Sequence, residues 1–254
     1  MSLARSLLRQ SISLAHKIHK GLWLILFKLT HPKSPILIAT AFEHRHFLSL
    51  GYIPDLVIDV GFNKGQFSSL ALEAWRHVPV LAFDPHPSCF KSSADQLTAA
   101  YGSRFKFSNI ALGDANKSVI LNLSHSSDNS SLCTPTNLNN KIFPRSQTFS
   151  TCQVQQITLS SFVYPFSTFS SILLKIDVQG SELSVLQGID KTTISRIKYI
   201  YIEVTEVDLY ESQPTLSVLT NYLNIRGYDR VSTYNQNNLD GNLLYADCLF
   251  VRRC

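Results

Sequence analysis

An alternation of two periods, beginning at Asp55, narrows the folds open to this chain more than any other feature. Leu56-Val57-Ile58-Asp59-Val60 is apolar on both faces apart from one carboxylate, and Gly61 breaks the run. Strands of that kind sit in sheets covered on both sides, and strands that alternate with helices pair in parallel. Helical period follows from Gly65 to His77. Val80-Leu81-Ala82-Phe83-Asp84 is a second strand, stopped by Pro85-His86-Pro87. Ser88 to Tyr101 reads as the next helix and Phe105 to Leu112 as the third strand. Val119 to Leu123 alternates and suits an added strand. Ile172-Leu173-Leu174-Lys175-Ile176-Asp177 is a fourth buried strand, with a short helix from Ser181 to Gln187. Ile197 to Val204 is a fifth, Leu216 to Arg226 is helical, and Tyr228 to Thr233 with Leu243 to Val251 forms a closing hairpin. The expected fold is α/β.

With 44% hydrophobic residues in 254, the chain has matter for one large core, which excludes wholesale disorder. From residue 124 to residue 153, Ser, Thr and Asn supply half the positions. So long and polar a connection is expected to be a lid or a disordered insertion. The five cysteines are odd in number and include no CxxC pair, which points to a reducing compartment, the cytoplasm.

The net charge of +5 is unevenly placed. Arg5, Arg9, Lys17, Lys20, Lys28 and Lys33 face no acidic residue before residue 34, and the rest of the chain is close to neutral. A nucleic-acid-binding domain spreads positive charge over its folded face, so no nucleic-acid partner is expected. The basic segment carries Leu3, Leu7, Leu14, Ile18, Leu22 and Ile25 at helical spacing. The chain therefore divides into a basic helical extension over 1–50 and a catalytic-size domain over 51–254. The extension suits three roles: peripheral contact with an anionic inner membrane surface through residues 1–30, an organelle transit peptide, or simple packing.

Two acidic strand ends point at a nucleoside. Asp59-Val60-Gly61-Phe62-Asn63-Lys64-Gly65 has glycines where a backbone comes close to a ligand, but it lacks the G-x-G-x-x-G that seats a pyrophosphate. Asp84 ends the next strand, where a carboxylate accepts hydrogen bonds from two ribose hydroxyls; capping the following helix is its plainer role. A third site, Lys175-Ile176-Asp177-Val178-Gln179-Gly180-Ser181-Glu182, brings charge to the end of an apolar strand. A buried ion pair is the plainer account there, and Ser181 and Glu182 suit a helix start. The spaced His44 and His46 suit a helix surface better than a metal site, because residues two apart point away from each other.

In order along the chain stand Val-Ile-Asp-Val-Gly-Phe-Asn-Lys-Gly-Gln-Phe-Ser, Phe-Asp-Pro-His-Pro, Asn-Ile-Ala-Leu-Gly-Asp, Ser-Ser-Leu and Leu-Lys-Ile-Asp-Val-Gln-Gly-Ser-Glu. Together they resemble the motif series of the FkbM family of S-adenosylmethionine-dependent methyltransferases, over roughly Asp55 to Val251. The resemblance implies a class I methyltransferase (Rossmann-like) sheet, seven-stranded and mostly parallel, with helices on both faces and an antiparallel C-terminal hairpin. It implies S-adenosyl-L-methionine as cofactor and O-methylation of a hydroxyl on a sugar, glycan or lipid-linked saccharide. Residue by residue, Asp59, Gly61, Asn63 and Gly65 would line the methionine part, Asp84 would hold the ribose, and Ala111, Leu112 and Asp114 would border the adenine. Asp177 would stand near the reactive methyl. Four positions depart from the pattern: Phe62 replaces a small residue and would narrow the methionine pocket, Asp84 is a shortened Glu, Gln179 replaces Glu, and Thr158-Leu159-Ser160 lacks a final Asp.

Loss of the hydroxyl proton needs an acceptor within reach of the attacking oxygen. Asp177 is the first candidate, as base or as holder of the acceptor, Glu203 the second, and His125 a third. The spacing of Asp177 and Glu203 does not require a metal. Two alternatives use the same sheet: a nicotinamide-dependent oxidoreductase, which would want the missing glycine fingerprint, and a non-catalytic, membrane-attached nucleoside-binding protein.

Overall fold

The computed structural model describes residues 52–87 and 91–253, together with Leu22, Glu43, His44, His46 and Phe47. The extension expected over 1–50 otherwise lies outside the described residues. Five parallel strands carry the domain: β1 (Leu56–Val60), β2 (Val80–Phe83), β3 (Phe105–Ser108), β7 (Ile172–Ile176) and β8 (Ile197–Val204). The hairpin β9 (Tyr228–Leu239) and β10 (Asn242–Arg252) completes a seven-stranded sheet in the order β3-β2-β1-β7-β8-β10-β9. β10 runs antiparallel to both of its neighbours. Asp240 and Gly241, both with positive φ, make the two-residue turn between them.

Every residue of β1, β2 and β7 is buried, as apolar runs covered on both faces require. One core packs Leu56, Ile58, Leu174, Ile176 and Ile202 with helices α4 (Glu182–Gln187) and α6 (Leu216–Ile225). The other packs Val57, Leu173, Tyr201 and Leu249 against α1 (Gln66–Ala74) and α2 (Lys91–Tyr101). The order reverses between β1 and β7, which opens a crevice at their carboxyl ends.

The expected third strand is divided. After β3 the chain turns at Asn109, whose side-chain amide donates to the carbonyls of Asp84 (2.8 Å) and His86 (2.9 Å). That anchor pulls β4 (Ala111–Leu112) out of the main sheet and into a second one, ordered β4-β6-β5, with β5 (Lys117–Ser124) and β6 (Thr148–Ile157). Periodicity does not register the break, because both pieces are apolar.

The polar stretch 124–153 is not a disordered insertion. It holds a 3-10 turn (Ser127–Asn129), the short helix α3 (Asn137–Ile142) and the start of β6. Its hydroxyls are spent on the main body: Ser131 Oγ donates to the Gln179 carbonyl at 2.5 Å and Thr136 Oγ1 to the Asp208 carbonyl at 2.6 Å. The pair His44 and His46 is also placed differently from expectation. Both lie in 3-10 turns rather than on a helix surface, and their rings pack on Phe67, Tyr201 and Tyr234. The aromatic surface waiting there could not be seen from the sequence neighbours of the two histidines.

Candidate active site

The carboxyl ends of β1, β2 and β7 open into two adjoining cavities. The first is lined by Gly61, Asn63, Asp84, Ala111, Leu112 and Asp177, with Ser127, Asp128 and Ser130 to Leu132 beside them. The second is larger and polar: Asn63, Asp177, Gln179, Glu203, Tyr210, Asn235 and Asp247 are on its walls. Asp177 belongs to both.

Gly61 is where the two strand ends touch. Its φ is +84°, and a Cβ there would lie 1.8 Å from the Asp177 carbonyl oxygen, so no other residue fits. Asp84, 8% exposed, accepts the backbone N–H of Asn63 and of His86, each at 2.9 Å, one on each carboxylate oxygen. Burial pushes its carboxyl up to about 6 against the pull of those two donors. Each oxygen keeps a lone pair for a ligand hydroxyl. The side-chain oxygen of Asn63 is buried with no partner among the described residues, an acceptor held ready for a ligand N–H or O–H. Ile110, Ala111, Leu112 and Leu121 give the same cavity an apolar wall suited to a purine. A nucleoside with a polar amino-acid tail fits this set.

Three predicted cofactor residues stand back from the cavities. Asp59 is completely buried; Ser68 Oγ donates to it at 2.6 Å and Lys175 Nζ lies 3.2 Å from it. Lys175 Nζ also donates to the Gly61 carbonyl at 2.6 Å and approaches Asp177 at 3.6 Å. Burial opposes the charge on Lys175, but Asp59 and Asp177 outweigh it and hold the ammonium above its ordinary range. Asp59 thus acts through Lys175 on the shape of the glycine turn. Gly65 has φ +79°, and a Cβ there would meet the Phe62 ring at 2.7 Å. Phe62 itself is 1% exposed and packs on Phe105 and Phe107, so its ring leaves the first cavity open rather than narrowing it. Asp114 lies at the surface, bonded to Lys117 at 3.0 Å. His125 is exposed and stacked on Phe149, on neither cavity wall.

At the junction, Gln179 ties the two candidate carboxylates together. Its Nε2 donates to Asp177 Oδ1 and to Glu203 Oε2, each at 2.8 Å, while Tyr210 donates to its Oε1 at 3.0 Å. The residue is held at φ +58°, a conformation that costs about 1–3 kcal/mol and persists only where its surroundings enforce it. Burial, then Asp177 and Asp247, raise the Glu203 carboxyl well above the usual range. Glu182 is a supporting residue: its Oε1 accepts from Gly180 N at 3.0 Å and Val178 N at 3.3 Å, holding the loop after β7. Ser181 makes no capping bond of its own. Among the described residues no group of three or more His, Cys, Asp and Glu is placed to hold a metal.

Gln179, Tyr210, His44, Tyr201 and Asp247 were not found by sequence reasoning. Gln179 stood inside a quoted motif, but as an absent carboxylate rather than a bridging amide. The others come from distant segments without a motif.

A known protein family matches most of this chain. The family model described as "Methyltransferase FkbM domain" matches residues 59–230. The 2-O-methyltransferase NoeI of Sinorhizobium fredii (strain NBRC 101917 / NGR234) is 24% identical over 190 residues, which cover 71% of this chain and 76% of that protein. Methyltransferase 1 of Beauveria bassiana (strain ARSEF 2860) is 24% identical over 160 residues, 59% of this chain and 64% of that one. The crystal structure of Burkholderia thailandensis 1,6-didemethyltoxoflavin-N1-methyltransferase, with bound 1,6-didemethyltoxoflavin and S-adenosylhomocysteine, superposes at a TM-score of 0.43 and 15% identity, covering 98% of this chain and 89% of that one. Since the family model runs from the first acidic strand end through the loop after β7 and into the closing hairpin, the chain belongs to the FkbM methyltransferase family, with S-adenosylmethionine as its cofactor.

Proposed function

We infer that this protein methylates a hydroxyl of a saccharide, free, in a glycan or lipid-linked, with Asp177 and Glu203 as the catalytic residues that meet the acceptor. The observation that carries this reading is the place of Asp177 on the wall of both cavities. S-adenosylmethionine supplies a methyl group on a sulfonium. Gly61, Asn63 and Asp84 hold its polar parts, and the wall around Leu112 holds its base. Transfer forms a carbon–oxygen bond as the carbon–sulfur bond breaks, and the hydroxyl proton passes to the Asp177 carboxylate. Glu203, on the wall of the second cavity, holds a second oxygen of the acceptor. Positioning is the enzyme's main contribution to such an in-line displacement. The amides of Gln213, Asn235, Gln236 and Asn237 on the second cavity suit a polyhydroxylated molecule, and the printed name of the Sinorhizobium relative, a 2-O-methyltransferase, supports oxygen as the atom methylated.

Asp177→Asn tests the reading. It is expected to keep S-adenosylhomocysteine affinity within about threefold by calorimetric titration. Transfer of labelled methyl to a pooled glycan extract should fall on the order of 100-fold, the usual weight of a positioned base. Equal transfer by the variant would remove Asp177 from the mechanism.

A further inference from the structure

Between the two carboxyl groups of the transfer step stands a side chain to which that step gives no role. Gln179 Nε2 carries two hydrogens and meets two acceptors, Asp177 Oδ1 and Glu203 Oε2, each at 2.8 Å. All three residues line the second cavity. The amide fits only this way round. Turned over, it would set its oxygen against both carboxyl oxygens, and an ionised carboxylate has no hydrogen to give.

The far end of the residue is fixed as well. Tyr210 Oη donates to Gln179 Oε1 at 3.0 Å and lies 3.3 Å from the Asn129 carbonyl. Ser131 Oγ donates to the Gln179 backbone carbonyl at 2.5 Å. Gly180, the next residue, has φ +108°, and a Cβ on it would meet Tyr210 Cβ at 2.9 Å. The turn is thus pressed on Tyr210, which keeps Gln179 in its left-handed conformation. Strain of that kind persists where the surroundings over-determine it, and it marks residues that must be pre-organised.

Hydrogen counting shows what the bridge achieves. Asp177 and Glu203 meet on one nitrogen without either supplying a hydrogen, because the amide supplies both. One oxygen of each carboxyl is taken up, so the bridge leaves Asp177 Oδ2 and Glu203 Oε1 for an acceptor. Asp177 Oδ2 also lies 3.6 Å from Lys175 Nζ. The last torsion of a carboxylate side chain is broad and two-fold, so an untied carboxylate presents either oxygen over a wide range. Tied to Gln179, it presents one oxygen in one direction.

We propose that Gln179 is a positioning residue for methyl transfer: it aims the Asp177 carboxylate at the acceptor hydroxyl, and Tyr210 holds Gln179 in place. This role rests on the reading of Asp177 and Glu203 given above; the bridge itself does not.

The test uses the full chain with 15N-labelled glutamine side chains and S-adenosylhomocysteine bound. The Gln179 amide signals, assigned by their loss in Gln179→Met, should exchange with solvent more slowly than those of the exposed Gln187. Tyr210→Phe should quicken that exchange on the order of tenfold, the weight of about one hydrogen bond. Signals that exchange like those of Gln187, or that Tyr210→Phe leaves unmoved, overturn the proposal. With the pooled glycan extract, Gln179→Met should lower kcat on the order of tenfold while KM for S-adenosylmethionine stays within about threefold. In an Asp177→Asn background the same substitution should lower kcat no further, since no carboxylate is left to aim. A residue that only braced the fold would cost as much in both backgrounds, and that result overturns the proposal too. Tyr210→Phe keeps the ring and should show a smaller loss of kcat of the same kind, which covers a Gln179→Met chain that does not fold. Undiminished kcat in Tyr210→Phe counts against the role. A wild-type chain that binds S-adenosylhomocysteine but transfers to no glycan, with the Gln179 signals as expected, would instead sink the saccharide reading.

Discussion

Asp84 is connected on both sides of its own cavity. By accepting N–H groups from Asn63 and His86, it joins the turn after β1 to the turn after β2, and it lines the first cavity. Asp84→Ala should weaken S-adenosylhomocysteine binding by roughly 1.5–3 kcal/mol, the range for hydrogen bonds to a charged group. Calorimetric titration measures it, and unchanged affinity would mean the ribose lies elsewhere. Glu182 shows a different logic. Its two backbone partners want an acceptor, not a charge, and burial pushes its carboxyl up from 4.5 to about 7. The folded state therefore binds this proton more tightly than the unfolded state. The stability it contributes is complete below about 4.5 and is lost as pH rises through about 7. Glu182→Gln keeps an oxygen for Gly180 and Val178 and cannot ionise. Its melting temperature should gain on the wild type between pH 5 and pH 8, by on the order of 5 °C; a constant difference would mean that Glu182 is not the group titrating.

Among the elements, the contact between the ends of β1 and β7 sets the site. Gly61 is pressed on the Asp177 carbonyl, and Asp177 N donates to the Val60 carbonyl at 3.0 Å. The glycine turn and the Asp177 backbone are thus one structure. Gly61→Ala requires a left-handed alanine, about 1–3 kcal/mol, and a displaced strand end besides. The melting temperature should fall by about 5 °C or more, with cofactor binding lost. A variant as stable as wild type would show that the strand ends separate easily. The second sheet matters at the same scale. β4 diverges at Asn109 and takes Ala111 and Leu112 to the rim of the cofactor cavity. The stretch before β6 then reaches across to Gln179 through Ser131.

Across the whole molecule, ionisable groups from four strands converge at and just behind the second cavity. Asp59 and Lys175 are partners in register between β1 and β7, and Lys175 faces Tyr201 of β8. Two residues further along β8, Glu203 faces Asp247 of β10. Burial lifts Asp247 to about 6, as it does Asp84. Lys175, the single buried lysine or arginine among the described residues, is already held by Asp59, so carboxylates set the character of the larger cavity.

By itself the sequence determined what depends on neighbours along the chain. Apolar runs with strand and helix period, and turns made by Gly61, Pro85 and Gly180, specify the parallel sheet and the ends from which ligands are reached. That Asp84 and Asp177 stand at a cavity was legible because both follow apolar strands at the carboxyl end, where open α/β sheets form crevices. Tertiary structure alone decided which acidic residues reach the ligand. Asp59 and Asp177 look alike in sequence, yet register pairs Asp59 with Lys175 in the core while Asp177, one residue beyond β7, opens on both cavities. It decided the division of the third strand at Asn109, whose amide bonds carbonyls 23 and 25 residues away. It also assembled Gln179 with Tyr210, and His44 with Tyr201. Those contacts span up to 157 residues, and at such separations only the folded sheet defines which polar atoms meet.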